Sequence, residues 1–300
     1  MISLLAPGQG SQTPGMLAEW LELPGAADQI AVWSQISGLD LATLGTTATA
    51  EQITDTAVTQ PLVVATTLLA FRELARRGVP AETVVAGHSV GEIAAYAIAG
   101  VISPEDAVGL AAVRGAEMAR ACAAEPTGMS AVLGGDEAEV LARLEALELV
   151  PANRNAAGQI VAAGALAALE KLAEDPPEKA RVRQLATAGA FHTHYMASAM
   201  DGYAAAAAKV VASDPSTTLL SNVDGKPVAS GADAMEKLVA QMTRPVRWDL
   251  CTKTMGELNT SAIVEFPPAG TLTGIAKREL RGVATHAVKT PADLDGVAGL

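Results

Sequence analysis

Apolar positions fall into two alternating textures along the chain. Short unbroken runs, "ISLLAP" at 2–7 and "TVVAG" at 83–87, have the length of buried strands. Longer alanine- and leucine-rich stretches, "PLVVATTLLAFRELARRG" and "EIAAYAIAG", read as helices beside them. That alternation predicts an α/β domain around a parallel sheet. Helix ends carry their own signals. Gly78 with Pro80 closes one helix, and Ser103-Pro104-Glu105-Asp106 opens the next with an N-cap, a proline at the first helical position and acidic first-turn residues.

From about residue 124 the pattern changes. "GMSAVLGG" reads as a strand, "DEAEVLARLEAL" as a helix, "LVPANRNAAGQIVAAG" as two strands around a turn, "ALAALEKLAEDPPEK" as a helix and "ARVRQLATAG" as a strand. The order βαββαβ fits a ferredoxin-like unit. The expected organisation is therefore a small ferredoxin-like subdomain at 124–189 inserted into a large, hydrolase-like parallel-sheet subdomain formed by 1–123 and 190–300. Asp175-Pro176-Pro177 is a loop inside the small unit, and the alanine run 204–208 reads as helix.

Composition narrows the function classes. Half of the 300 residues are hydrophobic, enough for a sizeable core. A net charge of −12 argues against a general nucleic-acid binder, because neutralising phosphates needs a basic face. The start, "MISLLAPGQG", lacks the basic region of a secretory signal, and no apolar run approaches the roughly 18 residues needed to span a bilayer. A cytoplasmic protein with no membrane contact is expected. Cys122 and Cys251 make neither a disulfide framework nor a zinc cluster and read as small buried hydrophobes.

Chemistry concentrates at Gly87-His88-Ser89-Val90-Gly91, where a strand runs into a helix. In a nucleophile elbow the serine is strained at the tip of the turn, and the positions two before and two after must be small. Gly87 and Gly91 meet that demand; an ordinary glycine-rich turn is the alternative. A serine nucleophile needs a base, and the chain has four histidines. His88 directly precedes the serine, where the elbow turns its side chain away, and reads as a packing or hydrogen-bonded turn residue. His286 lies in "VATHAV" with no accompanying motif. That leaves "GAFHTHYM", in which an extended backbone would put His192 and His194 on one face, without choosing between them. No third ligand stands near this pair, so no metal is expected.

"PGQGSQ" fails as a dinucleotide fingerprint because the third glycine position is Thr13, but its glycines let the backbone approach another loop closely. Arg114 lies among alanine and valine in "AAVRGAEMAR", where a cation is costly unless it meets an anion; a surface-facing arginine and an internal salt bridge are the alternatives. Met118 follows one helical turn later.

Taken together, "PGQGSQTPGM", "TQPLVVAT", "GHSVGEIAA", "VRGAEM", "GAFHTHYM", "LLSNVDG", "QMTRPVRW" and "VEFPPAGTLTGIAKR" resemble, in order and over nearly the whole chain, the malonyl-CoA:acyl-carrier-protein transacylases of fatty-acid and polyketide synthesis. The resemblance implies Ser89 as acyl-carrying nucleophile, His192 as base, the backbone N–H groups of Gln9 and Val90 as oxyanion hole, and Arg114 as the cation for the malonyl carboxylate. It implies that the backbone carbonyl of Gln241 orients the base, giving a Ser-His dyad. Gln60, Met118, Asn155 and Phe191 match its substrate pocket, and Phe191 resembles the malonyl-selective version; Ser221 and Asn222 match segments near the site. The family segment usually resembles "HAFHSPLM", so Gly189 and His194 depart from it.

The implied reaction transfers malonyl from malonyl-CoA, a coenzyme A thioester, to the phosphopantetheine thiol of acyl carrier protein through a malonyl-serine ester. No cofactor is bound for catalysis, the carrier is a transient partner, and a free-standing monomer is expected. A serine esterase or thioesterase using the same dyad is the alternative and would not need Arg114. Because the family's carriers are acidic and this chain is acidic too, docking needs a basic rim, for which "EKARVR" and "AKRELRG" are the candidates.

Overall fold

The structure is a computed structural model that describes residues 1–78, 82–298 and 300; Pro80, expected to help close a helix, lies outside the described residues. In chain order the strands are β1 (Ile2–Ala6), β2 (Thr83–Gly87), β3 (Thr127–Gly134), β4 (Val150–Ala156), β5 (Gln159–Ala165), β6 (Ala180–Gln184), β7 (Thr218–Leu219), β8 (Ala262–Glu265) and β9 (Ala284–Ala287). Helices α1 (Ala26–Ser37), α2 (Leu41–Thr46) and α3 (Thr56–Arg77) separate β1 from β2, and α4 (Gly91–Ile98) and α5 (Pro104–Cys122) follow β2. Helices α6 (Glu137–Ala146) and α7 (Leu166–Glu174) lie between strands of the second sheet, and α8 (Met200–Ala207), α9 (Gly231–Ala240), α10 (Trp248–Glu257) and α11 (Thr271–Glu279) complete the chain.

The first sheet is parallel throughout, in the order β7-β2-β1-β8-β9. Every residue of β1, β2 and β8 is buried, which is why these strands read as unbroken apolar runs rather than alternating ones. Helix α3 begins at Thr56, upstream of the apolar run and of Pro61, because Asp55 caps it by accepting from the Ala57 N–H. Its long buried surface packs on α5. Helix α5 starts where the sequence predicts, with Ser103 accepting from the Asp106 N–H and Pro104 in the first turn.

The second sheet is antiparallel, ordered β4-β5-β3-β6, the ferredoxin-like arrangement that βαββαβ predicts. Its two faces differ. Val132, Ile160 and Ala162 pack against α6 and α7 through Val140, Leu144, Leu169 and Leu172. Met129, Ala131 and Val161 point the other way and line a cavity. Strand β6 stops at Gln184, short of the run to Gly189 read from the sequence, because the small residues after Leu185 turn the chain toward the site. Two backbone bonds tie this sheet to the larger unit: Val246 N–H donates to Ala152 O (2.9 Å) and Arg154 N–H to Val246 O (2.9 Å). Among the described residues, no helix is long and apolar enough to cross a membrane.

Candidate active site

Ser89 stands between the end of β2 and the start of α4 with a φ of +54°, a left-handed conformation that a serine rarely adopts without support. The elbow's flanks show why glycines are required. A Cβ on Gly87 would come 2.0 Å from Gly91 O, and one on Gly91 would come 2.3 Å from Ala6 O. Asn222 holds the strained turn from both sides, its Oδ1 accepting from the Ser89 N–H (2.9 Å) and its Nδ2 donating to Gly87 O (2.7 Å). The ordinary-turn alternative gives no reason for this arrangement.

His192 is brought to the serine by a second left-handed residue. Its φ is +60°, and its Nε2 lies 2.7 Å from Ser89 Oγ. Nδ1 lies 2.9 Å from the Gln241 backbone oxygen, which can only accept. The ring proton therefore sits on Nδ1, and Nε2 presents a lone pair to the hydroxyl. His192 is 2% exposed; burial, and next the charge of Arg114, push its pKa down to about 3. The imidazole is thus neutral and able to take a proton.

The extended-segment expectation fails here. The left-handed turn at His192 and the short helix at His194–Ala199 send His194 outward, where its exposed ring stacks on Tyr195 at 4.2 Å. Gly189, the other departure, packs on Cys122: a Cβ there would come 2.5 Å from Sγ. His88 Nε2 makes a 2.8 Å hydrogen bond with Asn155 Oδ1 and its ring meets Trp248 edge-on, the hydrogen-bonded turn role read from the sequence. It is not turned wholly away, however, because it also lines the cavity. His286 lies in β9, away from the cavity lining.

Arg114 is 0% exposed, which removes the surface-facing alternative. Among the described residues it makes no ion pair either. Its Nη1 donates to Gln60 Oε1 (2.8 Å), its Nη2 to Gln241 Oε1 (2.8 Å), and Nη2 lies 3.5 Å from Ser89 Oγ. Arg114 Nε has no partner among the described residues. A guanidinium buried among neutral amides beside a serine hydroxyl keeps a charge that an anion can pair.

The cavity, about 420 Å³, gathers Gln9, Gln60, His88, Ser89, Met118, Asn155, Phe191 and His192 on one wall system. Gln9 reaches it from the loop after β1, where Gly8 approaches so closely that a Cβ would lie 2.7 Å from His88 O. Neither the Gln9 nor the Val90 N–H has an acceptor among the described residues. Arg114, Val90 and Gln241 stand behind the lining rather than in it.

Two contributions were missing from the sequence reading. The Gln241 side chain, beyond its backbone carbonyl, bridges Arg114 to Ser89 O (Nε2, 3.1 Å). Glu92 is a fully buried carboxylate whose pKa is raised to about 7 by burial, against the pull of its hydrogen bonds from Asn222 and Gln241 and the charges of Arg114 and Lys237. An acid in the first turn of a helix is ordinary, so "SVGEIAA" carried no signal that this one is enclosed.

The acyl transferase domain family matches residues 4–293 of the chain. The chain belongs to that family. The acyl transferase chain is 78% identical over 287 residues to the malonyl CoA-acyl carrier protein transacylase of Mycolicibacterium smegmatis, covering 94% of this chain and 99% of that one. The crystal structure of MCAT from Mycobacterium tuberculosis superposes with a TM-score of 0.98 at 74% identity, with 99% of each chain covered. A malonyl-transacylase solved in complex with its type II PKS acyl-carrier protein matches with a TM-score of 0.93 at 29% identity, again covering 99% of each chain.

Proposed function

We propose that this acyltransferase moves a malonyl group from malonyl-CoA to the phosphopantetheine thiol of acyl carrier protein. The observation that carries this reading is Arg114, a buried guanidinium whose Nη2 lies 3.5 Å from Ser89 Oγ and whose other hydrogen-bond partners, Gln60 on Nη1 and Gln241 on Nη2, are neutral amides. A neutral ester needs no such group, whereas a malonyl thioester brings a carboxylate that does. Its arrival exchanges an amide contact for a charged one, which is favourable because charge-assisted bonds are the stronger.

His192 Nε2 takes the Ser89 proton as Oγ attacks the thioester carbonyl, and the Gln9 and Val90 N–H groups receive the tetrahedral oxyanion. Coenzyme A leaves as its thiol, taking the proton from His192. His192 then takes the thiol proton as the carrier's sulfur attacks the malonyl-serine ester and gives it to Ser89 Oγ as the ester bond breaks, so the kinetics are ping-pong. A carboxylate on Arg114 also offsets the positive charge that depresses His192, making the imidazole a better base when the right acyl group is present. Gln60, Met118, Asn155 and Phe191 shape the acyl pocket. In this reading the enzyme works as a cytoplasmic monomer without a bound cofactor, serving fatty-acid or polyketide synthesis.

The test is intact mass after brief exposure to malonyl-CoA, with acetyl-CoA and Ser89→Ala alongside, then carrier protein. A malonyl-sized gain that needs Ser89 and disappears on adding carrier is the expected result. Steady release of coenzyme A with no adduct would point to a hydrolase instead.

A further inference from the structure

Glu92 takes no part in the steps above, yet its carboxylate binds Asn222 and Gln241, the two residues that hold Ser89 and Arg114. It sits three residues beyond Ser89 in the first turn of α4 and is 0% exposed. Its Oε1 accepts from the Asn222 backbone N–H (2.7 Å) and its Oε2 from Gln241 Nε2 (2.5 Å). Asn222 in turn clamps Gly87 O and the Ser89 N–H, and Gln241 reaches Ser89 O and Arg114.

We propose that Glu92 is a positioning residue, its carboxylate fixing Asn222 and Gln241 and, through them, the strained backbone of Ser89 and the guanidinium of Arg114. Both of its partners are N–H donors, and only an acceptor-only group satisfies both at once. An amide in its place would turn one N–H₂ toward a donor. The carboxylate also dictates which way the Gln241 amide faces: Nε2 toward Glu92 leaves Oε1 for Arg114. Gln241 thereby stands between the buried acid and the buried base. A direct Glu92–Arg114 pair would fill the guanidinium, whereas the interposed amide leaves its charge for an incoming carboxylate while the opposite charge nearby lowers the cost of burying it.

The inference rests on Arg114 as the carboxylate anchor, so the experiment separates the two. Rates of Ser89 acylation by malonyl-CoA and acetyl-CoA are measured for the parent, Glu92→Gln, Glu92→Asp and Arg114→Ala, with folding checked by circular dichroism. Glu92→Gln is expected to slow malonyl loading about 10- to 100-fold, chiefly in kcat, as misplacement of reacting groups does. It should also lower the malonyl-to-acetyl ratio about tenfold, toward that of Arg114→Ala, and Glu92→Asp should recover part of both. A folded Glu92→Gln enzyme with parental rate and ratio would overturn the inference, and equal slowing of both acyl groups would overturn its Arg114 half. If Glu92→Gln does not fold, Gln241→Met keeps the backbone carbonyl on His192 and removes the amide; an unchanged ratio there overturns the same link. An Arg114→Ala enzyme with the parental ratio would sink the anchor reading and leave only the hold on the Ser89 elbow to be judged by rate.

Discussion

His192 refuses a proton that the unfolded chain would accept. With a folded pKa near 3 against an ordinary 6.5, the unfolded state binds more protons between those values, so this group costs stability as pH falls through that window. Glu92 acts in the opposite sense: raised from 4.5 to about 7, it is protonated first in the folded chain and adds stability as pH falls from 7 toward 4.5. The informative quantity is therefore a difference between proteins. The unfolding free energy of the parent should decline relative to that of His192→Asn as pH drops from 7 to 4, with a slope approaching about 1.4 kcal/mol per pH unit. Denaturant titrations at several pH values measure it, and a constant difference would mean that the folded imidazole protonates normally. Of the residues involved, Ser89 was legible from its glycine flanks, while His192 was separated from His194 by the family resemblance alone and not by the local pattern. In the structure that choice depends on a left-handed backbone at His192, on the Thr193 hydroxyl bond to Ala190 O and on a ring held by Gln241 O, contacts that no local propensity encodes.

At the scale of elements, the turn from β2 into α4 is constrained by sterics as well as by the Asn222 hydrogen bonds. Gly91→Ala pushes a methyl group into the Ala6 and Pro7 carbonyls and should destabilise the protein by about 3 kcal/mol, at the upper end of overpacking effects. Gly274→Ala, in α11 with open space around it, should instead stabilise by roughly 0.5–1 kcal/mol through helix propensity. Chemical denaturation midpoints of the two variants test the contrast; similar shifts would show that space at the elbow is not the constraint. Elements bounded by capping chemistry, such as α5 behind Ser103, were readable because the signal is local. The end of β6 was not, since "LATAG" stops pairing only where the chain must deliver His192.

For the whole molecule, the two-sheet plan was readable because each sheet's pattern is distinct, unbroken apolar runs for the parallel one and βαββαβ order for the other. How the sheets face each other was not, because it is fixed by a few contacts far apart in sequence. Their relation gives the basic stretch on β6 a place. Arg183 pairs with Ala131 and Arg181 with Leu133 across the β3–β6 ladder, so both exposed arginines stand on the cavity face of the sheet. Reversing the charge of Lys179, Arg181 and Arg183 is expected to lower transfer to an acidic carrier about tenfold at low salt and leave Ser89 acylation unchanged. Stopped transfer assays across ionic strengths measure this, and unaltered transfer would remove the patch as a landing site.

The strap between the sheets has a consequence for recombination. Ala152 and Arg154 grip Val246, five residues after the Gln241 carbonyl that accepts from His192 Nδ1. A chimaera that imports the small sheet from a relative to change its carrier would therefore also import a new grip on the segment that steers His192. A swap of 124–189 alone is expected to disturb the His192 contact, and a swap of that insert together with 241–248 to keep it.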